Sequence, residues 1–430
     1  MTQGSEKTPA PVVPPAEKQP ATCRVMIDPD EALTLVVEAT VPRRRRALPV
    51  DDSCGLRLAE EVRADRAYPA FDRAMMDGYA VRVADAGRTV VVTGELAAGG
   101  VSPRSFQQGE CIEIMTGAIC PPRAEAIVPK ECAHRSANRV SLPKHIEPGQ
   151  HIAPRGSECE AGSLVLRPGD VVTPLAVAVM ASFGRKEVLV TPRPTVGIIV
   201  TGGELVATGA EPAAGQIRDS NGPMLAAMAA ELGLDRPAAL RVEDKIEAIV
   251  EAVRALADRD LILLSGGVSM GSYDLVPDAL RVFGAEIVFH KARQKPGKPL
   301  LFARREDQLF FGLPGNPLSC HFCFHRYVSA AVRVMLGMPG VRQVCCGRLT
   351  EAIRPKAERT FFVPAAASLD RQTRSWCLVP MPGVTSADVF HSCRANCYVH
   401  VPAGRNPIPA GDELSFSWLA GRQKLSWNCV

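Results

Sequence analysis

Three apolar runs in the middle of the chain each end in a glycine-rich turn: PTVGIIVTGGEL (194–205), DLILLSGGVSMGSYD (260–274) and LFFGLPGNPLS (309–319). Apolar runs bounded by glycine read as buried strands of a parallel sheet. Glycine at a strand end lets backbone amides close on an anion, and in open α/β sheets ligands bind beyond the carboxyl ends of the strands. Between the last two runs lies HKARQKPGKP (290–299), dense in lysine and arginine. The combination describes one site for a phosphorylated ligand.

Strand, loop and helix alternate around these turns. A helix opens near Ser220 or Asn221 and ends at Gly233, a second covers 245–258, and a third covers 277–283. That alternation predicts a doubly wound α/β domain. Upstream, DPDEALTLVVEATV (28–41) reads as an amphipathic helix with Asp28 or Asp30 as cap and Ala32, Leu35, Val36 and Ala39 inward. Short runs punctuated by proline and glycine follow, the rhythm of a β-rich domain. A short helix is expected around Ala176–Ala181, and β character returns after Gly340.

At 430 residues the chain is too long for one ordinary core. A net charge of +4 is too small for the basic face of a nucleic-acid-binding protein. The run Arg43–Arg46 is read as a solvated stretch in preference to a phosphate patch. Residues 1–22, with five prolines and no apolar core, read as a disordered lead-in and not a signal peptide. No apolar stretch approaches the roughly 20 residues that span a bilayer. The expectation is a cytoplasmic protein with no membrane or nucleic-acid partner, its fourteen cysteines reduced. In CHFCFH, Cys320 and Cys323 share one helix face while His321 and His325 share another, which favours core cysteines with peripheral histidines over a metal site. Cys393 and Cys397 are expected in a loop and a strand.

The middle domain offers carboxylates (Glu204, Asp219, Asp244, Asp274) and amines (Lys291, Lys295, Lys298). Around a phosphorylated ligand the carboxylates need a divalent cation, and Mg²⁺ characteristically uses one or two carboxylates plus phosphate oxygens. The lysines are expected to hold the remaining phosphate charge.

SGGVSMGSYD, KPGKP, LPGNP, MDGYA and TG-x-EL, in this chain, resemble the molybdopterin molybdenumtransferase family, which comprises bacterial MoeA proteins and the E-domain of gephyrin-type proteins. The resemblance covers about residues 28 to 425. It implies an elongated protomer: a helix/linker domain of 23–62 with 152–192, a β-rich domain at 63–151, a central molybdopterin-binding α/β domain at 193–338, and a C-terminal β domain at 339–430. It also implies a homodimer and hydrolysis of adenylyl-molybdopterin with insertion of molybdate at the dithiolene, release of AMP and assistance by Mg²⁺. A pterin adenylyltransferase and molybdoenzymes are the partners it suggests.

Matched residue by residue, the resemblance makes Asp77, Glu204, Asp244, Asp274, Lys291, Lys295 and Lys298 the catalytic set, with Glu204 and Asp274 on the metal. The ligand set is Thr116, Gly117, Asp219, Ser220, Asn221, Ser265, Gly266, Gly267, Ser269, Pro314, Gly315 and Pro317. Three positions depart from the family: Gly203 stands where aspartate is usual, Glu158 replaces an aspartate, and Met75 sits where a small residue is typical. The competing readings are a molybdopterin adenylyltransferase and a pterin-binding scaffold without catalysis.

Overall fold

A computed structural model of the chain describes residues 24–100, 105–268, 275–341, 343–354, 358–381 and 387–419. The lead-in 1–22, Ser269 and Asp274 lie outside these residues. The chain divides into two compact units, residues 1–44 with 193–430, and residues 45–192.

In the first unit a seven-stranded sheet runs in the order Arg24–Ile27, Glu286–Ala292, Leu301–Arg305, Gln308–Leu313, Leu261–Ser265, Val196–Thr201, Ala239–Val242. Leu261–Ser265 pairs in parallel with both Val196–Thr201 and Gln308–Leu313, so the three sequence-predicted strands are neighbours. Successive side chains alternate faces. Ile198, Val200, Leu261, Leu263, Leu309 and Phe311 enter one core. Ile199, Ile262, Leu264 and Phe310 enter the other. Burying each such aliphatic side chain contributes about 1.5–3 kcal/mol. These strands have no polar face because helices cover both sides.

The helix Asn221–Glu231 and the segment Pro317–Met335 supply the first core; Ile246–Ala255 and Val276–Phe283 supply the second. This is the doubly wound arrangement that the strand–helix alternation predicts. Beyond it, Thr360–Leu369, Trp376–Pro380, Cys345–Leu349, Glu413–Trp418 and Cys397–Val401 close on themselves as a β-barrel, because the last pairs back to the first. Its core holds Val363, Leu378, Val399, Phe416 and Trp418. Phe362 and Tyr398 instead join the α/β core through Phe322, at ring separations of 4.5 and 5.1 Å.

The sequence groups all of 23–62 with 152–192, and here the structure differs. Arg24–Ile27 is an edge strand parallel to Glu286–Ala292, and the helix Pro29–Ala39 buries Ala32 and Val36 in the α/β core. Asp28 caps that helix, accepting from the Asp30 amide at 2.8 Å, and Asp30 pairs with Arg326. An apolar helix face goes where apolar surface is available, and that surface is the α/β core. Only from Arg45 does the chain enter the other unit. Arg43, within the basic run, pairs with Asp260, so the run is not uniformly solvated.

The histidines of CHFCFH need a second correction. Cys320 and Cys323 are buried, and burial pushes the Cys320 thiol up to about 12. His325, however, is only 6% exposed, and His321 Nδ1 lies 2.8 Å from the Tyr398 hydroxyl. The helix widens to a π turn over Phe324–Val328, and the barrel packs on this side, so neither histidine is peripheral. Cys397 lies in a strand, and Cys393 follows the short helix Val389–Ser392.

The second unit holds a six-stranded sheet in the order His134–Ser136, Arg139–Ser141, Thr89–Leu96, Glu110–Ile114, Gly78–Val81, Ala126–Pro129. A smaller sheet of Arg46–Pro49, Glu187–Thr191 and Arg57–Leu58 shares a core with the helix Pro174–Ser182. Thr173 caps that helix through the Ala176 amide.

Candidate active site

At the carboxyl ends of the parallel strands the first unit opens a cleft of about 500 Å³. Val196–Thr201 delivers Thr201, Gly202 and Glu204 to its wall; Leu261–Ser265 delivers Ser265, Gly266 and Gly267; Gln308–Leu313 delivers Pro314, Gly315 and Pro317. Asp219, Ser220, Asn221 and Asp244, which the sequence also placed there, line it as well.

Two of the carboxylates are held by backbone. Asp244 accepts from the Thr201 hydroxyl and from the Gly203 amide, the latter at 3.1 Å, so it fastens the first turn to the adjacent strand. Asp219 is 7% exposed and accepts from the Gly222 amide at 2.9 Å, satisfying one orphan donor at the start of the Asn221–Glu231 helix. The Glu204 carboxylate makes no hydrogen bond or ion pair among the described residues, and it is the one left for a ligand.

Asn221 ties the turns together. Its Nδ2 donates to Ser265 Oγ at 2.8 Å and to the Gly315 carbonyl at 2.7 Å, joining a helix start, a strand end and the LPGNP turn. Gly266 permits the close approach of the central turn. Its φ is +99°, and a Cβ there would sit 2.2 Å from the Thr201 carbonyl oxygen.

Lys291, Lys295 and Lys298 are not among the described residues that line this wall, although Pro299, next to Lys298, is. Lys295 belongs to a two-residue strand paired with Thr360–Leu369, and its ammonium lies 5.4 Å from the Phe361 ring centroid. Lys291 donates its amide to the Leu300 carbonyl, and the Lys298 carbonyl accepts from Ala292. Among the described residues of KPGKP, Pro299 is the one that lines the wall. Sequence reasoning missed Arg218, Asn316 and Ala387, which also line it. Arg218 precedes Asp219 directly, so the turn itself carried that signal. Ala387 comes from the C-terminal segment and had none.

Asp77, Thr116 and Gly117 belong to the second unit. Thr116 donates to Asp77 Oδ1 twice, from its amide at 2.7 Å and its hydroxyl at 2.6 Å. These bonds, the hydroxyl's first, hold the Asp77 carboxyl below the usual range, and Lys130 lowers it further. Gly117 has φ +83° and donates its amide to the Ala74 carbonyl. Gly78, in MDGYA, is required by packing: a Cβ would lie 2.2 Å from the Val128 carbonyl oxygen. Beside this turn Glu113 pairs with Lys130 at 2.7 Å and with Arg135, a cluster the sequence did not disclose.

Family models match most of the chain: the MoeA N-terminal region (domain I and II) over residues 27–184, the probable molybdopterin binding domain over 197–334, and the MoeA C-terminal region (domain IV) over 347–419. A Staphylococcus epidermidis molybdopterin molybdenumtransferase is 31% identical over 398 residues, which is 90% of this chain and 94% of that protein. The chain belongs to the molybdopterin molybdenumtransferase family. A Staphylococcus aureus member is 32% identical over 392 residues, 89% of this chain and 93% of its own. The crystal structure of the molybdopterin biosynthesis MoeA protein from Pyrococcus horikoshii superposes with a TM-score of 0.76 at 26% identity, covering 91% of this chain and 99% of that one. The cleft lies within the residues matched by the molybdopterin-binding model, apart from Ala387.

Proposed function

We propose that this cleft is the ligand site of a molybdenum insertase. In this reading it binds adenylyl-molybdopterin, the pyrophosphate link is hydrolysed, molybdate enters the dithiolene, and AMP is released. The observation that carries the reading is convergence: Glu204, Asp219, Asn221, Asp244, Ser265 and Gly315 come from distant parts of the chain and line one wall.

The donor chemistry fits Mg²⁺. Glu204 offers carboxylate oxygens that have no hydrogen-bond or ion-pair partner among the described residues, and phosphate oxygens supply what a protein site of one or two carboxylates lacks. Glu204 and Asp274 are the residues proposed to hold the ion, which when bound supplies positive charge to the phosphate oxygens. The chain's own residues do the positioning. Asp244 and Asp219 fix two turns, Asn221 fixes the third against them, and the glycine turns let backbone approach the ligand. Fixed dipoles of this kind stabilise developing charge without reorganisation. Asp77 with Thr116, and Lys291, Lys295 and Lys298, are proposed to act on the same reaction, within a cytoplasmic homodimer supplied by a pterin adenylyltransferase. The scaffold and adenylyltransferase readings differ in outcome: the first predicts pterin binding without AMP release, the second ATP consumption without molybdate.

The test is AMP release from adenylyl-molybdopterin with molybdate and Mg²⁺. Glu204→Gln should lower the rate on the order of 100-fold while leaving the melting temperature unchanged. An undiminished rate removes the role given to Glu204.

A further inference from the structure

The phosphate charge of the ligand calls for a cationic group on the cleft wall itself. The described wall carries the carboxylates of Glu204, Asp219 and Asp244 and a single cationic side chain, Arg218. Arg218 ends the two-residue strand Ile217–Arg218, which pairs in parallel with Leu205–Val206. The Ile217 amide donates to the Glu204 carbonyl at 2.9 Å, so the acid, just before one strand, and the guanidinium, on the strand paired with it, belong to adjoining segments.

The side chain is held in a particular way. Arg218 Nε donates to the Ala210 carbonyl at 2.9 Å, which anchors the stem of the fork. Its terminal nitrogens make no ion pair with any carboxylate among the described residues, although three carboxylates line the same cleft. A planar guanidinium anchored at Nε presents its remaining N–H groups as a fork suited to two phosphate oxygens. Among the described residues, no hydrogen bond of the neighbouring turns uses those groups.

We propose that Arg218 is a phosphate-binding residue, receiving phosphate oxygens of the pterin nucleotide while Glu204 faces the accompanying cation. This inference rests on the reading of the cleft as the site for adenylyl-molybdopterin. It assigns Arg218 to binding and not to chemistry: the guanidinium touches the ligand equally before and during the reaction, so its loss falls on KM more than on kcat.

The experiment compares wild type, Arg218→Gln and Arg218→Lys in AMP release, and measures inorganic pyrophosphate binding to each by titration calorimetry. A charge-assisted bidentate contact predicts a KM raised about 10- to 100-fold in Arg218→Gln with kcat within about threefold. Arg218→Lys, which keeps the charge without the fork, should fall between the two. Pyrophosphate affinity should fall in the same order, while melting temperatures agree across the three proteins. Unchanged KM and unchanged pyrophosphate affinity in Arg218→Gln overturn the proposal, as does loss confined to kcat. If wild type releases no AMP, the insertase reading falls by itself. Arg218 is then judged on pyrophosphate alone, where equal affinity in wild type and Arg218→Gln, or none in wild type, rejects it.

Discussion

The cleft of the α/β domain and the Asp77 turn of the β-rich unit solve the same problem by different means. Each holds a carboxylate in place through hydrogen bonds. In the cleft the acids sit at or just after strand ends, and their partners are amides and hydroxyls of nearby turns, as Asp219 with Gly222 and Asp244 with Gly203. Asp77 depends on Thr116, brought to it because Gly78 pairs with Ile114 across two strands. The first arrangement follows from a general rule of parallel sheets. The second exists only once a particular register has formed, so a turn built on local geometry and one built on distant pairing should fail differently when cut.

The sharpest break of that comparison is Gly266→Ala. The added carbon overlaps the Thr201 carbonyl oxygen and forces an L side chain to φ +99°. The expected loss is on the order of 3 kcal/mol, with AMP release abolished; denaturant unfolding and the activity assay measure it. Asn221→Ala comes next. It removes both bonds that join three turns and leaves buried Ser265 and the Gly315 carbonyl without that donor, which costs about 1–3 kcal/mol. A urea midpoint equal to wild type would mean the turns hold each other without it.

Gly203→Asp probes the carboxylate that the family usually has and this chain lacks. No atom lies within 4 Å of a Cβ built at Gly203, so the fold should tolerate it. Like charges near Glu204 and Asp244 repel until a cation arrives, so the Mg²⁺ concentration for half-maximal AMP release should drop several-fold. A raised Mg²⁺ requirement would show that position 203 does not face the ion.

The smallest effect belongs to the β-rich unit. Thr116→Val keeps the amide bond to Asp77 and deletes the hydroxyl bond. The folded-state pKa of Asp77 is depressed, so its contribution to stability is present above the unfolded value and is lost as pH falls through the folded one. In Thr116→Val the Asp77 carboxyl should titrate at higher pH, and that loss on acidification should begin earlier. NMR titration of Asp77 reads this, and an unmoved titration curve would assign the depression to Lys130 and the amide.

Much of the cleft was legible because its signals are local. Apolar runs ending in TGGE, SGG and LPGNP fix strands, and turns with glycine and proline fix where backbone meets ligand. Asp219, Ser220 and Asn221 could be placed because a helix must start there. The departures came from competition between surfaces. The helix Pro29–Ala39 was correctly found, but which core its apolar face would join depended on what else offered apolar area. The lysine-rich loop read as part of the phosphate site; in the structure Gln294–Lys295 pairs with Thr360–Leu369 while Pro299 lines the cleft.

The sequence by itself determined the periodicity of the strands and helices, the positions of the glycine turns and the family to which the chain belongs. These depend on residues within a few positions of one another. Tertiary structure alone decided that His325 is buried, that Asn221 bridges three turns, and that Glu113 gathers Lys130 and Arg135. Each of those rests on atoms many residues apart. Their meeting is set by sheet register and core packing, which no single stretch of chain encodes.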